Sequence, residues 1–242
     1  MDRLAHAGQP VTFNGRSTDP GSDDLTVTWH WGDSTPDDVT TYLNSPPSPD
    51  PFPSPSVNPR DITDAKTHTF GDACLYTTTF GSFDDDGGVA VPDSVKVLIT
   101  GNESERFGHA FWKDQYRTNP PWNKAYPASV RTCYLLIVAY VSNVFNEVVD
   151  ASTFAAAENV LLPKGAVEPP VKQLDRELLA AWLNFANGSV DWGTLIDTDH
   201  NGTADTAFSA VMAAAETVRL DAGATDAALR AQTQILRGIN ND

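Results

Sequence analysis

The spacing of apolar residues changes once along this 242-residue chain, and that change constrains the fold more than any other feature. In the first hundred residues apolar and polar side chains alternate in short runs, as at residues 25–31 and 95–99, separated by clusters of Asp, Gly and Pro. Alternation with a period of two is typical of strands with one buried face. From residue 126 onward the apolar residues recur at helical spacing. We therefore expect an N-terminal antiparallel β-sandwich and a C-terminal all-α bundle.

The type of acidic residue changes at the same place. Residues 1–100 contain 15 Asp and no Glu, and the first Glu is Glu103. Asp without Glu is typical of turns and metal loops, because its short carboxylate competes for nearby backbone N–H groups. We predict a sandwich domain over residues 1–100, a linker or docking segment over 101–125, and a helical domain over 126–242.

The net charge argues against a nucleic-acid partner, and the short apolar runs argue against insertion into a membrane. The chain has 16 Lys and Arg against 32 Asp and Glu, which gives a net charge of −16. A nucleic-acid-binding protein needs a basic surface to displace counterions from phosphate. The longest apolar run, residues 133–141, is far shorter than the roughly 20 residues that span a bilayer. We expect neither nucleic-acid binding nor membrane insertion, and the acidity is equally compatible with adaptation to high salt.

Two segments of the N-terminal half resemble the PKD domain family. Residues 17–33 read Ser-Thr-Asp-Pro-Gly-Ser-Asp-Asp-Leu-Thr-Val-Thr-Trp-His-Trp-Gly-Asp, similar to the family pattern S-x-D-P-x-x-D-x-L-x-Y-x-W-x-F-G-D. A later segment, His68-Thr-Phe70 followed by residues 76–84 and Gly87, is similar to the H-x-Y and G-x-Y-x-V-x-L-x-V-x-D-x-x-G patterns. The resemblance implies a seven-stranded immunoglobulin-like sandwich of an extracellular protein, which acts as a spacer or binds polysaccharide or protein fibres.

The resemblance also assigns residues and shows two departures. It implies that Trp29 is the core tryptophan and that Asp33 is the carboxylate of the following turn. Ser34 replaces the usual glycine of the pattern, and Cys74 stands where a glycine normally begins the late strand.

The second half is predicted to contain five helices. Their signals are apolar stripes with Pro at the start or Asn-Gly at the end. The predicted helices run from residue 127, over 152–161, from 169 or 170 to 187, over 205–220, and over 225–238. Residues 108–113 and 178–188 resemble an uncharacterised helical region at the C-terminal ends of secreted bacterial multidomain proteins, and that resemblance implies no activity.

A loop between the third and fourth predicted helices has the spacing of an EF-hand calcium loop. Oxygen-bearing residues occupy positions 1, 3, 5, 7 and 9, and Gly202 occupies position 6. The predicted Ca²⁺ ligands are Asp197, Asp199, Asn201, Thr203 and Asp205. Position 12 is Phe208 instead of the usual acid, so we expect an affinity weaker than about 10⁻⁵ M, as in dockerin or thrombospondin-type loops, which this loop resembles. The alternative is an Asp-rich turn before a helix, capped by Asp205.

A second acidic set lies in the N-terminal half. The turns at residues 19–24 and 84–88 could converge at one end of the sandwich and hold Ca²⁺ through carboxylate oxygens. The candidate ligands are Asp19, Asp23, Asp84 and Asp86, with Asp85 beside them. The alternative is that these acids cap turns and keep the edge soluble.

Two further features leave alternatives open. Cys74 and Cys133 could form a disulfide, which would require an oxidising compartment, or remain separate buried thiols. Residues 46–59 contain seven prolines, which favour an extended surface loop, and an alternative is a ligand for an aromatic groove of a partner.

No catalytic motif is present in the sequence. There is no G-x-S-x-G, no H-E-x-x-H and no phosphate-binding glycine loop around any of the five histidines. Asp175 and Glu177 are two residues apart on a predicted helix and do not share a face. We therefore expect that the protein is not an enzyme.

These observations favour a non-catalytic extracellular or cell-surface module, stabilised by Ca²⁺, that binds polysaccharide or protein or acts as a spacer. One alternative is a structural subunit of a surface layer, filament or phage particle, which would bind further copies of itself. A second is a carbohydrate-active enzyme whose carboxylates are not recognised. Residues 1–4 contain no secretory segment, so we expect either a cytosolic protein or a sequence that begins after a removed export segment.

Overall fold

The computed structural model describes residues 3–21, 23–44, 59–118, 124–163, 165, 168–199 and 201–241. The proline-rich segment lies outside these residues except for Pro59. The chain divides into two compact units. The first comprises Met1–Gly71 and Tyr76–Leu98, and the second comprises Asp72–Leu75 and Ile99–Asp242.

The described residues form nine strands. They are β1 (Arg3–His6), β2 (Pro10–Asp19), β3 (Leu25–His30), β4 (Asp38–Tyr42), β5 (Arg60–Thr69), β6 (Cys74–Asp84), β7 (Asp93–Thr100), β8 (Leu195–Ile196) and β9 (Thr206–Ala207). One sheet has five strands in the order β1-β7-β6-β3-β4, and two further sheets have two strands each, β2-β5 and β8-β9. β2 and β5 are antiparallel over ten residue pairs, and β3 is antiparallel to both β4 and β6.

Aromatic side chains form much of the core of the first unit. The alternating residues of β2 and β3 are buried on one face, and Phe13 and Trp29 belong to this set. Trp31, the residue after β3, continues the alternation and is also buried. The rings of Trp29 and Trp31 are stacked, and Trp31 stacks in turn on His68 of β5. The indole Nε1 of Trp29 donates a hydrogen bond of 2.9 Å to Asp64, which satisfies the one polar atom of this buried ring.

The predicted fold class, an antiparallel immunoglobulin-like sandwich followed by a separate all-α bundle, is wrong. In the N-terminal half β2 and β5 pair only with each other, among the described strands, instead of contributing to two comparable sheets. The second unit mixes strands with helices, because it contains the β8-β9 pair and the ends of β6 and β7. Alternation shows which side of a strand is buried but not which strands pair, and a two-residue strand has no detectable period.

Seven helices are described, all in the second unit. They are α1 (His109–Tyr116), α2 (Ala128–Val141), α3 (Asn143–Glu147), α4 (Phe154–Leu161), α5 (Pro170–Ala186), α6 (Phe208–Leu220) and α7 (Asp226–Asn241). Every residue of α5 from Leu174 to Ala186 is buried. α5 is therefore the central helix of this unit, and it packs against α1, α2, α4, α6 and α7.

The end of α5 is held by a close backbone approach to the end of β7. The N–H of Gly101 donates to the carbonyl of Ala186, and the N–H of Glu103 donates to that of Asn187. A Cβ on Gly101 would collide with the Asn187 carbonyl, and Gly188 has a φ of +87°. Both positions therefore require glycine.

Cys74 and Cys133 are joined by a disulfide bond, which resolves the alternative left open by the sequence. Both cysteines belong to the second unit, so the bond links the first residue of β6 to α2 within that unit. In the part of the chain that the structure describes, none of the helices has the length and hydropathy needed to cross a bilayer.

Candidate metal centres

Three acidic residues of the first unit converge at the ends of two strands. Asp19 is the last residue of β2, Asp84 is the last residue of β6, and Asp23 lies in the turn before β3. The antiparallel pairing of Leu25 with Asp84 brings the turn that carries Asp23 to the end of β6. Each of the three side chains offers a carboxylate oxygen, and these oxygens all lie within 4.8 Å of one another.

Glycines give the backbone room to approach these carboxylates. The N–H of Gly21 donates to Asp19 Oδ1 at 2.6 Å, and the N–H of Gly88 donates to Asp84 Oδ1 at 2.5 Å. A Cβ on Gly21 would lie 2.6 Å from Asp23 Oδ2, and one on Gly88 would collide with Asp84 Oδ2. Side chains at these two positions would displace the acids, so the local sequence keeps the cluster together.

The cluster concentrates negative charge. Among the residues that the structure describes, Asp19 Oδ2 is buried and has no hydrogen-bond partner. The pKa of Asp86 is raised by its hydrogen bond to Asp84, by burial, and by the negative charges of Asp23, Asp84 and Asp85. A buried carboxylate oxygen without a donor and an exposed acid that holds its proton more tightly both indicate excess negative charge.

The four candidate acids of this region therefore separate into two kinds. Asp19, Asp23 and Asp84 are brought together, whereas Asp86 is coupled to them by charge and by its hydrogen bond to Asp84. A surface cleft of about 220 Å³ adjoins the cluster and is lined by Asp19, Asp84 and the exposed ring of Phe83. The arrangement supplies hard oxygen ligands beside open space, which suits Ca²⁺.

The loop at residues 197–205 is held at both ends by the β8-β9 pair. Ile196 pairs with Thr206, and the N–H of Asp205 donates to the Ile196 carbonyl at 3.2 Å. Gly202 has a φ of +88°, the left-handed conformation expected at position 6 of the predicted calcium loop. The side chains of Asp197, Asp199 and Asn201 then accept hydrogen bonds from backbone N–H groups inside the loop.

The carboxylates of this second loop converge less than those of the first cluster. Among the described residues, Asp197, Asp199 and Asp205 do not form a group of three with ligand atoms within 4.8 Å. Asp205 is exposed and accepts a hydrogen bond from the Thr206 hydroxyl at 2.9 Å. Phe208, at position 12, is fully buried in the second unit. Its ring stacks on Phe185 and contacts Trp182 edge-on, so this residue packs in the hydrophobic core and supplies no metal ligand.

A buried ionic network on α5 was missed by the sequence analysis. Asp175, Arg176 and Glu177 are consecutive and all are buried. Asp175 pairs with Arg219 of α6, and Arg176 pairs with Glu168. The detectable signal was a run of three consecutive charges directly before the apolar residues 178–183 of the same helix. Such charges are expensive to bury unless each has a partner.

Glu177 has partners from three helices. Its carboxylate lies 3.2 Å from His109 Nδ1 of α1, 3.4 Å from Arg237 Nε and 3.2 Å from Asn240 Nδ2 of α7, and 3.6 Å from Arg176 Nε of α5 itself. Burial alone would raise the pKa of Glu177, but the hydrogen bond and charge of His109, with Asn240 and Arg176, outweigh it and lower the pKa. The group is an ionised structural carboxylate.

The fold and these sites define an acidic protein with β and α parts, clustered surface carboxylates and a buried ionic network. No family model matches the chain, and no curated protein matches it. Among solved structures, it is similar to the PKD domain of an M14-like peptidase from Thermoplasmatales archaeon SCGC AB-540-F20. The sequence identity is 17%, the match covers 40% of this chain and 86% of that chain, and the TM-score is 0.27. This likeness is to the same family that residues 17–33 resemble, and at this TM-score it does not define the fold.

Proposed function

We propose that the chain is a non-catalytic structural and binding module, stabilised by Ca²⁺ and acting outside the cell. The observation that carries the proposal is the convergence of Asp19, Asp23 and Asp84, together with the buried Asp19 Oδ2, which has no hydrogen-bond partner among the described residues. Three negative charges at this separation repel one another, and a divalent cation converts that repulsion into attraction.

The ion acts by linkage. A cation that binds the folded cluster but not the unfolded chain stabilises the fold by RT ln(1 + [L]/Kd). A site with a Kd of about 10⁻⁴ M, typical of extracellular modules, gains about 1.8 kcal/mol in roughly 2 mM Ca²⁺. In this proposal Asp19, Asp23 and Asp84 hold the first ion with Asp86 close by, and Asp197, Asp199, Asn201, Thr203 and Asp205 hold a second, weaker one.

Two further observations support an extracellular role as a binder or spacer. The Cys74–Cys133 disulfide is a bond that persists in oxidising compartments. The resemblance of residues 17–33 to PKD domains suggests polysaccharide or protein fibres as the partner class. The buried acids of α5 are all occupied by structural partners, which favours a non-catalytic role.

The test compares thermal unfolding in about 2 mM Ca²⁺ and in excess chelator for the wild type and Asp84→Asn. Asparagine keeps the acceptor for the Gly88 N–H but removes one charge from the cluster. The melting temperature of the wild type is expected to be higher in Ca²⁺ than in chelator. The expected rise is about 4–8 °C for each kcal/mol by which Ca²⁺ stabilises a unit of this size. Asp84→Asn is expected to be less stable than the wild type in Ca²⁺ and equally or more stable in chelator, because the repulsion is relieved.

The matched controls separate the two candidate sites. Asp197→Asn removes a charge from the 197–205 loop, and Asp61→Asn removes one from an exposed pair with Arg16. The Asp61 variant is expected to keep the full response to Ca²⁺. A wild-type melting temperature that is the same in Ca²⁺ and chelator would refute the calcium proposal at both sites.

A further inference from the structure

Three Asn-Gly pairs occur in the chain, at Asn14, Asn187 and Asn201. In such a pair the backbone nitrogen of the glycine can attack the side-chain carbonyl carbon of the asparagine and close a five-membered succinimide. Glycine favours this reaction because it lacks a Cβ and reaches unusual backbone angles. The rate then depends on how the surroundings position the nucleophile, its proton acceptor and the carbonyl.

The loop around Asn201 positions the nucleophile, a proton acceptor and the carbonyl group. The N–H of Gly202, the attacking group, donates a hydrogen bond of 2.8 Å to Asp197 Oδ2. The N–H of Thr203 donates at 2.8 Å to Asn201 Oδ1, the oxygen on which negative charge develops during the attack. The side-chain amide of Asn201, which holds the leaving nitrogen, donates to Asp199 Oδ2 at 2.9 Å. Asn201 and Gly202 are both exposed, so water reaches the product.

The other two pairs lack this arrangement. Asn14 and Gly15 lie inside the ten-residue ladder between β2 and β5, where Gly15 is covered by the ring of Phe80. Asn187 is fully buried, and the N–H of Gly188 donates to the backbone carbonyl of Phe185 at 3.0 Å. Cyclisation at either pair would break a strand ladder or the end of α5.

We propose that Asn201 is a self-modifying site, converted by its own loop to aspartate and isoaspartate. The bond from Gly202 N to Asn201 Cγ forms, the bond from Cγ to Nδ2 breaks, and ammonia leaves. The proton of the Gly202 amide passes to the Asp197 carboxylate and departs with the ammonia. Water then opens the succinimide at either carbonyl, and no oxidant, reductant or cofactor is consumed.

The modification changes the loop irreversibly. It adds a carboxylate at residue 201, beside Asp197 and Asp199, and the isoaspartate product also lengthens the backbone by one carbon. The inference does not rest on the calcium proposal, but the two interact. An ion bound to Asp197 occupies the proton acceptor, so Ca²⁺ protects Asn201 if the loop binds it.

The experiment follows the three pairs by peptide mapping and mass spectrometry while the full chain is incubated at neutral pH in chelator. Each site is compared with itself in the chain unfolded by denaturant. Asn201 is expected to react about tenfold or more faster in the folded chain than in the unfolded one, a modest share of the gain that a positioned base provides. Asn14 and Asn187 are expected to react more slowly when folded.

Two variants test the role of the carboxylate. Asp197→Asn is expected to lower the folded rate at Asn201 to the unfolded rate or below. Asp221→Asn removes an exposed charge from a turn outside this loop, keeps an acceptor for the Gly223 N–H, and is expected to leave the rate at Asn201 unchanged. A folded rate at Asn201 no higher than the unfolded rate, or no loss of rate in Asp197→Asn, would overturn the proposal. A parallel incubation in Ca²⁺ tests the loop as a metal site: an unchanged rate there would count against calcium at this loop alone.

Discussion

Replacing Glu177 by glutamine removes one buried negative charge and keeps the size of the side chain. The carboxylate is 1% exposed and faces His109, Arg176 and Arg237. Breaking a buried ion pair by removing one partner costs about 3–5 kcal/mol. Because His109 and Arg237 are each about one third exposed and Arg176 keeps Glu168, we expect a loss at the lower end, about 3 kcal/mol.

The pH dependence of this loss has a definite sign. The pKa of Glu177 is lower in the folded protein than its ordinary value, so its stabilisation is fully present above the unfolded pKa of about 4.3. It is lost as the pH falls through the lower, folded pKa. The difference in unfolding free energy between wild type and Glu177→Gln is therefore expected to shrink as the pH falls below about 4.3.

Urea unfolding followed by far-UV circular dichroism measures this difference, since the helices that the structure describes all lie in the second unit. Glu147→Gln, at the exposed end of α3, is the matched control and is expected to change the unfolding free energy by no more than about 0.5 kcal/mol. The reasoning is wrong if Glu177→Gln loses less than about 1 kcal/mol, or if its deficit stays constant as the pH is lowered.

Two further substitutions test the backbone and the covalent link. Ser34 has a φ of +69°, which is strained for a residue with a Cβ. Ser34→Gly is therefore expected to raise the unfolding free energy by up to about 1 kcal/mol. A melting temperature below that of the wild type would contradict this expectation. Replacing both Cys74 and Cys133 by serine opens a loop of 59 residues and is expected to cost about 4 kcal/mol, measured by chemical denaturation against the oxidised wild type. A reductant should destabilise the wild type to the same degree and leave the double variant unchanged.

Local signals in the sequence located most helices but not the architecture. The predicted helix ending at residue 161 corresponds to α4, and the Pro-Pro and Asn-Gly signals at residues 169–170 and 187–188 bracket α5. The long apolar stripe from residue 127 did not show a break at Ser142, whose hydroxyl caps α3 and donates to the buried Glu216 of α6. That partner lies 74 residues away, so no local pattern could reveal it.

The candidate sites show the same limit. The Asp-rich turns predicted Asp19, Asp23, Asp84 and Asp86 as candidate ligands, because short carboxylates concentrate in turns and metal loops, but did not single out the three that converge. Their convergence depends on the pairing of β3 with β6, which is a property of the folded sheet. The network around Glu177 was not predicted, since its partners are distributed over α1 and α7, on either side of α5 in the chain.

The central position of α5 has a consequence for how the protein is made. Asn184 bonds to Phe107 and Asn240, and Glu177 bonds to His109 and Asn240, so α5 needs partners from both earlier and later parts of the chain. During synthesis α5 leaves the ribosome before α7 exists, and Glu177 and Asn184 then lack the partners that α7 supplies. The second unit therefore completes its core only when its last helix has been translated, and a nascent chain paused before that point exposes α5 to proteases and to chaperones.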